Sequence, residues 1–514
     1  MAVEIIVKSK SMKRKVFAVL GIMPEPGGYA AAKFSRTPTY KSYQDWALEL
    51  TEDGAEKFYN SMYFEYGHAS IADLAHIMVV LENISVPARN LLLDDQLIDA
   101  QSRSTRYVDY AKAAFIIPPE IKEDKEMVNL YQKTIKKMVK TYSHLVEKVT
   151  ALYLQKYADK RPKEMDNDRY ERTMKARAFD VARYLLPCAM PKSMGVIASG
   201  RTWERIITKF LSSPLLECQE IGAELKRAIC QKQAFNLSLV KIKEMNFLSE
   251  EEKKIIKKAI AGKNIALPTL VKYVERKEYP ENVYHAIKKL AKKLEIEGEA
   301  DGNRGVEMFE EIDSQLDFVT TLFYKTTPYS YRQLLKAVKK AGLGLQNEAI
   351  SLAYKFRGPH DAVVREAGGA SLIFDICMDI GGFRDLHRHR NCVQILKEVN
   401  GDYGYDTPQE VVEAGMIEEY TETMNQVWQT YQLLEKKYSP VGEYILPQAT
   451  RRRFLMKMSP WELQYITELR TKPQGHFSYR EIAYKMWELF NKKYPEWGEY
   501  MRITPPWTVD FFKR

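Results

Sequence analysis

The sequence predicts an α+β protein made of two similar domains in tandem, joined by a helical linker. Three observations lead there. The chain has 514 residues, more than one ordinary domain holds. Short segments of one half recur, in the same order, in the other. Each half also carries long stretches whose apolar residues recur at helical spacing. On this reading the first domain spans residues 1–245, the linker 246–304 and the second domain 305–514.

The elements follow in order. The opening MAVEIIVKSK is a short strand-like run. It lacks the charged segment, apolar stretch and cleavage site of a secretory leader. Phe34-Ser-Arg-Thr-Pro-Thr-Tyr-Lys-Ser-Tyr-Gln44 resembles Phe323-Tyr-Lys-Thr-Thr-Pro-Tyr-Ser-Tyr-Arg-Gln333. A helical stretch follows each, then a glycine- and histidine-containing loop: Tyr66-Gly-His-Ala-Ser70 and Arg357-Gly-Pro-His-Asp361. After each loop the apolar pattern predicts a long helix, over 71–84 in the first half and 370–386 in the second. A third matched pair is Ala182-Arg-Tyr-Leu-Leu-Pro187 with Gly442-Glu-Tyr-Ile-Leu-Pro447. Between the halves, residues 246–300 are rich in Lys and Glu and helical in pattern, with breaks at Pro268 and Pro280, which suits a linker. Near Gly305 the run VEMFEEIDSQLDFVTTLFY opens the second domain as a strand or a helix edge.

Composition narrows the class. Hydrophobic residues make up 45% and charged residues 28%, as in a soluble globular protein with a core large enough to need no staple. No run of 18 apolar residues suggests a transmembrane helix. The five cysteines (Cys188, Cys218, Cys230, Cys377, Cys392) are scattered and form no C-x-x-C pair. They read as reduced thiols of a cytoplasmic protein, with no zinc pattern and no metal site. The net charge of +10 suits an anionic ligand: a nucleotide, RNA or a phosphorylated cofactor. Much of the excess is lysine on helix surfaces, as in KKLAKKLEIE, where a solvated face explains it.

Three segments could carry chemistry. His387-Arg-His-Arg390 holds two of the eight histidines and two guanidiniums at the end of the predicted 370–386 helix. Paired, charge-assisted N–H bonds from arginine suit a phosphate or pyrophosphate, and a helix C-terminus favours cations. A basic surface turn or an RNA contact would carry the same residues. Gln101-Ser-Arg-Ser-Thr-Arg-Tyr107 places hydroxyls and guanidiniums in a loop expected after a helix, fit for a nucleotide phosphate or for a capped turn. Leu469-Arg470 ends the amphipathic pattern PWELQYITELR.

Together these pieces resemble the flavin-dependent thymidylate synthase family. Its pattern is a Gly-His-x-Ser loop, a long helix, Arg-His-Arg, seven residues and Ser-x-Arg-Tyr, then Ala-Arg-x-x-Leu-Pro and a Leu-Arg ahead of a Glu-Ile helix. The resemblance covers most of residues 15–230 and 305–500 and implies an antiparallel sheet flanked by long helices in each domain. Neither half keeps the whole pattern. The first keeps Gly67-His68-Ala69-Ser70, Ser104, Arg106-Tyr107 and Ala182-Arg183, but has Asp94-Asp95-Gln96 at the Arg-His-Arg position and Leu211-Ser212 at the Leu-Arg position. The second keeps Arg388-His389-Arg390, Leu469-Arg470 and Glu481-Ile482. It has Glu398 for the serine, Asn400 for the next arginine and Glu443 opposite Arg183.

The family builds each active site between subunits of a tetramer, so the losses are reciprocal. They imply one surviving site fed by both halves and one abandoned site lined by Asp94-Asp95, Ser212, Glu398, Asn400 and Glu443. By resemblance, Ser104, Arg106, Arg183 and Arg470 bind dUMP, with Arg470 and Ser104 the catalytic pair. His68, Ser70, Arg388, His389 and Arg390 bind FAD. The implied reaction methylates dUMP to dTMP with methylenetetrahydrofolate and NADPH as co-substrates. The implied assembly is a homodimer, with no membrane or nucleic-acid partner. Two departures leave the pyrimidine open. Asp385 stands three residues before Arg388, where the family usually has Gln, and the Leu-Arg to Glu-Ile spacing is about three residues longer than usual. A silent flavin- or nucleotide-binding homologue and an RNA-binding protein are the competing readings. Against the latter, no Lys/Arg stripe with interleaved aromatics is evident.

Overall fold

The computed structural model describes residues 23–36, 52–65, 69–103, 109–111, 113–232, 234–235, 242, 245–260, 264–277, 302–310, 313–326, 331–355, 367, 372–397 and 399–512. The chain divides into two compact units: 1–77 with 198–205 and 224–274, and 78–197 with 206–223 and 275–514.

The first unit is helical. Helices run over Pro24–Arg36, Glu52–Tyr59 and Glu250–Ile260, with a 3-10 turn over Ala69–Leu74. Its organising group is Glu25, buried, whose carboxylate accepts the backbone N–H groups of Thr269 and Leu270 at 2.9 Å each. Tyr59 donates its hydroxyl to the Glu25 carbonyl at 3.1 Å.

The second unit carries the sheets and the candidate site. Its first sheet has strands β1 (His76–Ile84), β2 (Ile98–Ser102) and β3 (Lys192–Ser199) in the order β1-β3-β2. The second has β4 (Gly305–Glu310), β5 (Leu372–Asp379), β6 (Val393–Leu396) and β7 (Arg451–Met458) in the order β4-β5-β7-β6, with every pairing antiparallel.

Two expectations are corrected here. Residues 71–84 and 370–386 are not long helices: each contributes a strand, and in the second half a seven-residue helix follows, Ile380–Leu386. Helical and strand periods cannot be told apart in a short run that is apolar at almost every position. The fold decides by burial. Along β5, Leu372, Phe374 and Ile376 are fully buried while Ile373 and Asp375 are half-buried. In β1, Ile77 and Leu81 point inward while Met78 and Val80 are exposed. Gln101 and Ser102 accordingly close strand β2 rather than follow a helix, and residues 104–107 lie outside the described residues. Near Gly305 both alternatives hold in turn, since β4 is followed by a helix over Ser314–Thr326.

Seven helices matter for the site: α1 (Val86–Leu93), α2 (Lys125–Lys156), α3 (Asn167–Ala182), α4 (Ile380–Leu386), α5 (Ile417–Tyr438), α6 (Pro460–Arg470) and α7 (Phe477–Lys493). Helices α2 and α5 are the longest links between the halves. Thr134 meets Thr430 at 2.8 Å, Thr141 meets Thr423 at 2.9 Å, and His144 meets Glu419 at 2.8 Å. Residue numbers rise on one helix as they fall on the other, so the two run antiparallel. Their inner faces share one core, where Tyr142, Leu145 and Met174 pack with Tyr420, Met424 and Leu446.

The matched Leu-Pro segments cross each other directly. Pro187 lies opposite Pro447 in an antiparallel bridge. Cys188 N–H donates to the Leu446 carbonyl (2.9 Å) and Gln448 N–H to the Leu186 carbonyl (3.0 Å). Ala189 N–H reaches the Tyr444 carbonyl (2.8 Å) and Ala449 N–H the Tyr184 carbonyl (3.1 Å). Each bond has a mate displaced by one repeat, which is the signature of a local two-fold axis inside a single chain. Arg183 and Glu443 stand four residues before the two prolines, on opposite sides of that axis.

Candidate functional site

Helix α4 builds the site. Asp379 caps it by accepting the Gly382 N–H at 2.7 Å. Gly382 is required there, since a Cβ would meet the Ser478 hydroxyl at 2.4 Å. This close seat of α4 on α7 fixes the rotation that carries Arg384 and His387 inward. His387 is the C-cap residue, so the basic tetrapeptide ends a two-turn helix and not the long one expected.

Around α4 the interior is crowded with cations. Arg89, Arg183, Lys192, Arg384, His387 and Arg452 are all at most 7% exposed. Charged side chains are almost never fully buried without partners, because desolvating an unpaired charge is costly. Here many donors have none. Arg183 Nε and Nη2, Arg384 Nε, Arg89 Nε and both His387 nitrogens are buried without a hydrogen-bond partner. The groups oppose one another. Burial, then the Arg384, Arg89, Arg183 and Arg388 charges, drive the Lys192 amine well below its ordinary value. Burial and Arg183 push Arg384 down to about 10. Burial, then Arg89 and Arg452, keep His387 neutral. The Lys192 amine donates to the Tyr110 hydroxyl at 3.3 Å and lies 5.1 Å from that ring's centroid.

The carboxylate that answers this field is Asp385. Burial alone would raise its pKa, yet it is held below the usual carboxylate range by Arg183, Arg470, Arg388 and Arg384, in that order. Arg183 comes from the first half and the other three from the second. The charges of Arg183 and of Arg470, Arg388 and Arg384 thus act on one carboxylate.

The remaining predicted residues divide. Arg388 is exposed, and Arg390 is half-buried with Asp99 at 3.4 Å. His389 is buried between Glu462, 3.4 Å from its Nδ1, and Arg470, whose Nε donates to its Nε2 at 2.8 Å. Burial lowers its pKa against the pull of Glu462, so it serves as a neutral imidazole with the proton on Nδ1. In that tautomer it anchors the Arg470 side chain at the end of α6. Ser70 lies in the 3-10 turn Ala69–Leu74 of the first unit. His68, Ser104 and Arg106 lie outside the described residues.

Sequence reasoning missed Arg89, Lys192, Arg384 and Arg452, and also Glu462. A signal existed for Lys192, where a lysine falls in a strand run, KSMGVIAS, that is otherwise apolar or small. For Arg89 and Arg384 the shared signal is an arginine in the short helix of each half.

A cavity of about 590 Å³ is lined by Asp94, Asn400 and Glu443, three of the six residues expected at the abandoned site; Asp95 is not among its walls. Ser212 is not among its walls, because its hydroxyl turns back to the Thr208 carbonyl at 2.7 Å and its neighbour Ser213 lines the cavity instead. Glu398 lies outside the described residues.

The five cysteines are buried and unbridged, and burial raises the thiols of Cys188, Cys218, Cys230 and Cys392, the last to about 12, so none of these four is poised as a nucleophile. Among the described residues no cluster of His, Cys, Asp and Glu could hold a metal, and no helix is long and apolar enough to cross a membrane.

Comparison with known proteins agrees with the duplicated arrangement. A UPF0159 protein of Chlamydia muridarum is 25% identical over 467 residues, covering 88% of this chain and 82% of the relative. A flavin-dependent thymidylate synthase of Clostridium tetani is 26% identical over 179 residues, covering 35% of this chain and 66% of the relative. Among solved structures, a UMP/dUMP methylase from Streptomyces cacaoi matches with a TM-score of 0.31 and 17% identity, over 40% of this chain and 98% of its own. The model of the thymidylate synthase complementing protein family matches twice, over residues 23–233 and 335–496. The chain belongs to the thymidylate synthase complementing protein family and carries that family's unit in two tandem copies.

Proposed function

We propose that this chain is an FAD-dependent thymidylate synthase that methylates dUMP to dTMP, with methylenetetrahydrofolate as carbon donor and NADPH as reductant. We propose further that it works through one composite site per chain. The observation that carries the reading is Asp385, a single carboxylate under the joint field of Arg183 from one repeat and of Arg470, Arg388 and Arg384 from the other. Such a cation excess, with unfilled N–H donors, suits a ligand bearing about two negative charges, as a nucleotide phosphate does.

The residues have distinct tasks. Arg183 and Arg384 offer unfilled donors to the phosphate, with Arg106 as a further contact. Arg470, fixed by His389 and Glu462, faces negative charge developing on the pyrimidine carbonyl, where a preorganised donor contributes most. Ser104 positions the base. Arg388 and Arg390, outside the buried cluster and chemically suited to a pyrophosphate, would hold FAD, with His68 and Ser70 as its contacts in the first repeat. When bound, FAD would supply the hydride chemistry. The repeat boundaries of 1–245 and 305–514, a homodimer and a cytoplasmic location complete the proposal.

A second reading is favoured by Asp385 itself. A carboxylate only accepts hydrogen bonds, whereas the glutamine usual in the family both donates and accepts. A homologue with an altered pyrimidine substrate, or a silent one that binds flavin or nucleotide, follows from that difference. The deciding experiment is a spectrum of the purified protein followed by NADPH oxidation with and without dUMP. Flavin absorbance with dUMP-dependent oxidation supports the synthase. Flavin without that oxidation supports the second reading, and a colourless protein that ignores dUMP overturns both.

A further inference from the structure

The turn after Arg470 reaches the other repeat. Between Arg470 and Glu481-Ile482 the spacing exceeds the family's usual one, and the chain there folds into a turn over residues 471–475. His476 follows, 1% exposed, at the start of α7. Its Nδ1 accepts the Ser478 N–H at 3.2 Å, which caps that helix. Its Nε2 lies 3.0 Å from the Asp180 carbonyl, which can only accept, so Nε2 carries the proton. One neutral ring thus makes two bonds of different kinds. The first is local to α7. The second crosses 296 residues of sequence to the last turn of α3, where helix carbonyls lack intrahelical partners.

Each end of that bond leads to a guanidinium of the site. Arg183 directly follows α3, three residues after Asp180, and Arg470 ends α6, six residues before His476. The bond is therefore a short path between two arginines of different repeats. Tyr184, fully buried, stacks on the His476 ring with centroids 5.9 Å apart and planes 22° apart. A second tie joins the same two segments. Arg480 donates its Nε to the Thr471 carbonyl at 3.1 Å and its Nη2 to the Pro505 and Thr508 carbonyls at 3.0 and 2.8 Å. Arg177, in α3, donates its Nε to the Phe511 carbonyl at 3.3 Å. Residues 505–511 thus strap the turn to α3, and should hold the halves together when the histidine bond alone is removed.

We propose that His476 is a positioning residue of the composite site. Its Nε2–H bond to the Asp180 carbonyl sets the separation of Arg470 from Arg183, while its Nδ1 bond serves only the start of α7. What the two guanidiniums grip rests on the nucleotide reading above: a nucleotide held by one group from each repeat. A misplacement of about 1 Å in such a pair costs on the order of a hundredfold.

Two substitutions separate the two bonds. His476→Asn places an acceptor where Nδ1 stands, and asparagine is a favoured cap, but its side chain is too short to reach Asp180. His476→Gln places an N–H where Nε2 stands and gives up the cap. Spin labels at Lys175→Cys on α3 and Lys472→Cys in the turn, both exposed positions, read the separation, since the five native cysteines are buried. Pulsed dipolar spectroscopy of the full chain should give one narrow distance in the labelled parent and in His476→Gln, and a broader distribution in His476→Asn. The affinity for dUMP, titrated calorimetrically in the unlabelled chains, should fall at least tenfold in His476→Asn and stay within threefold of wild type in His476→Gln. A His476→Asn chain that keeps either the parent's distance or its dUMP affinity, or a His476→Gln chain that loses them, would overturn the proposal. Should His476→Asn fail to fold, His476→Gln decides alone on the same criterion. The distances need no nucleotide, so a wild-type chain that binds no dUMP defeats the nucleotide reading while the labels still decide whether His476 holds the two segments.

Discussion

Replacing Arg183 by methionine separates a ligand-binding charge from a structural one. Arg183 has two buried donor atoms without acceptors. Its charge opposes Lys192 and Arg384 and favours Asp385. The substitution removes two repulsions and one attraction, and Asp385 keeps Arg470, Arg388 and Arg384. The expected stability change is therefore small, within about 1 kcal/mol of wild type in either direction. Binding of dUMP responds quite differently. A hydrogen bond to a charged group contributes roughly 1.5–3 kcal/mol, so even one lost phosphate contact weakens binding about 10- to 150-fold. Arg304 supplies the contrast. It bridges Asp379 at 3.0 Å, Asp406 and the Ser478 carbonyl at 3.1 Å, and every one of these groups belongs to the fold. Arg304→Met leaves the buried Asp379 without its bridging cation, while Asp406 keeps Arg451, and should cost about 3–5 kcal/mol. Denaturant melts of both variants, with dUMP titrations of whichever folds, make the comparison. An Arg183→Met chain that melts like Arg304→Met, or that binds dUMP within twofold of wild type, would refute the reasoning.

Lys192 predicts a pH dependence. Its folded pKa is depressed, so the unfolded chain binds a proton that the native chain does not. The native state is favoured above the ordinary lysine value of about 10.4 and loses that advantage as pH falls toward the depressed value. Lys192→Met should flatten that slope in melts across the alkaline range. The same proton should be taken up when an anion fills the site, read as a calorimetric heat that varies with buffer ionisation enthalpy. His389→Phe removes the acceptor that holds Arg470, and should lower kcat at least tenfold with KM nearly unchanged, while His389→Gln restores part of the loss. Arg388→Ala, at an exposed position, should leave the fold intact and strip flavin from the purified protein, together with the rise in Tm that added FAD gives. Unchanged flavin content would remove Arg388 from the FAD site.

What the sequence makes legible is the duplication and its reciprocity, because both are properties of residue identity and order. Arg183 against Glu443, Arg388 against Asp94 and Arg470 against Ser212 can be compared without knowing where any of them sits. The crossing of Leu186-Pro187 over Leu446-Pro447 follows from no local pattern. It is made by backbone bonds between segments 260 residues apart. The strands β1 and β5 were hidden for a different reason: their runs are apolar on both faces, so the period that separates strand from helix is absent. Arg89, Lys192 and Arg384 escaped because composition counts a lysine or arginine as surface. Only the packing of α1, α4 and β3 reveals that these charges are inside.

The local two-fold axis explains why the two sites could part company at all. In an assembly of identical subunits a substitution falls in every site at once, so a cation kept for the ligand opposes its neighbours in each. In the fused chain, residues 183 and 443 are independent positions. On one side Arg183, Arg384 and Lys192 still oppose one another, with the half-buried Asp385 as their counter-charge. On the other, Glu443 offsets part of the cost of burying Arg452, and Lys209 answers Asp94. The mutual opposition of Arg183, Arg384 and Lys192 is what an anion bound among them would relieve.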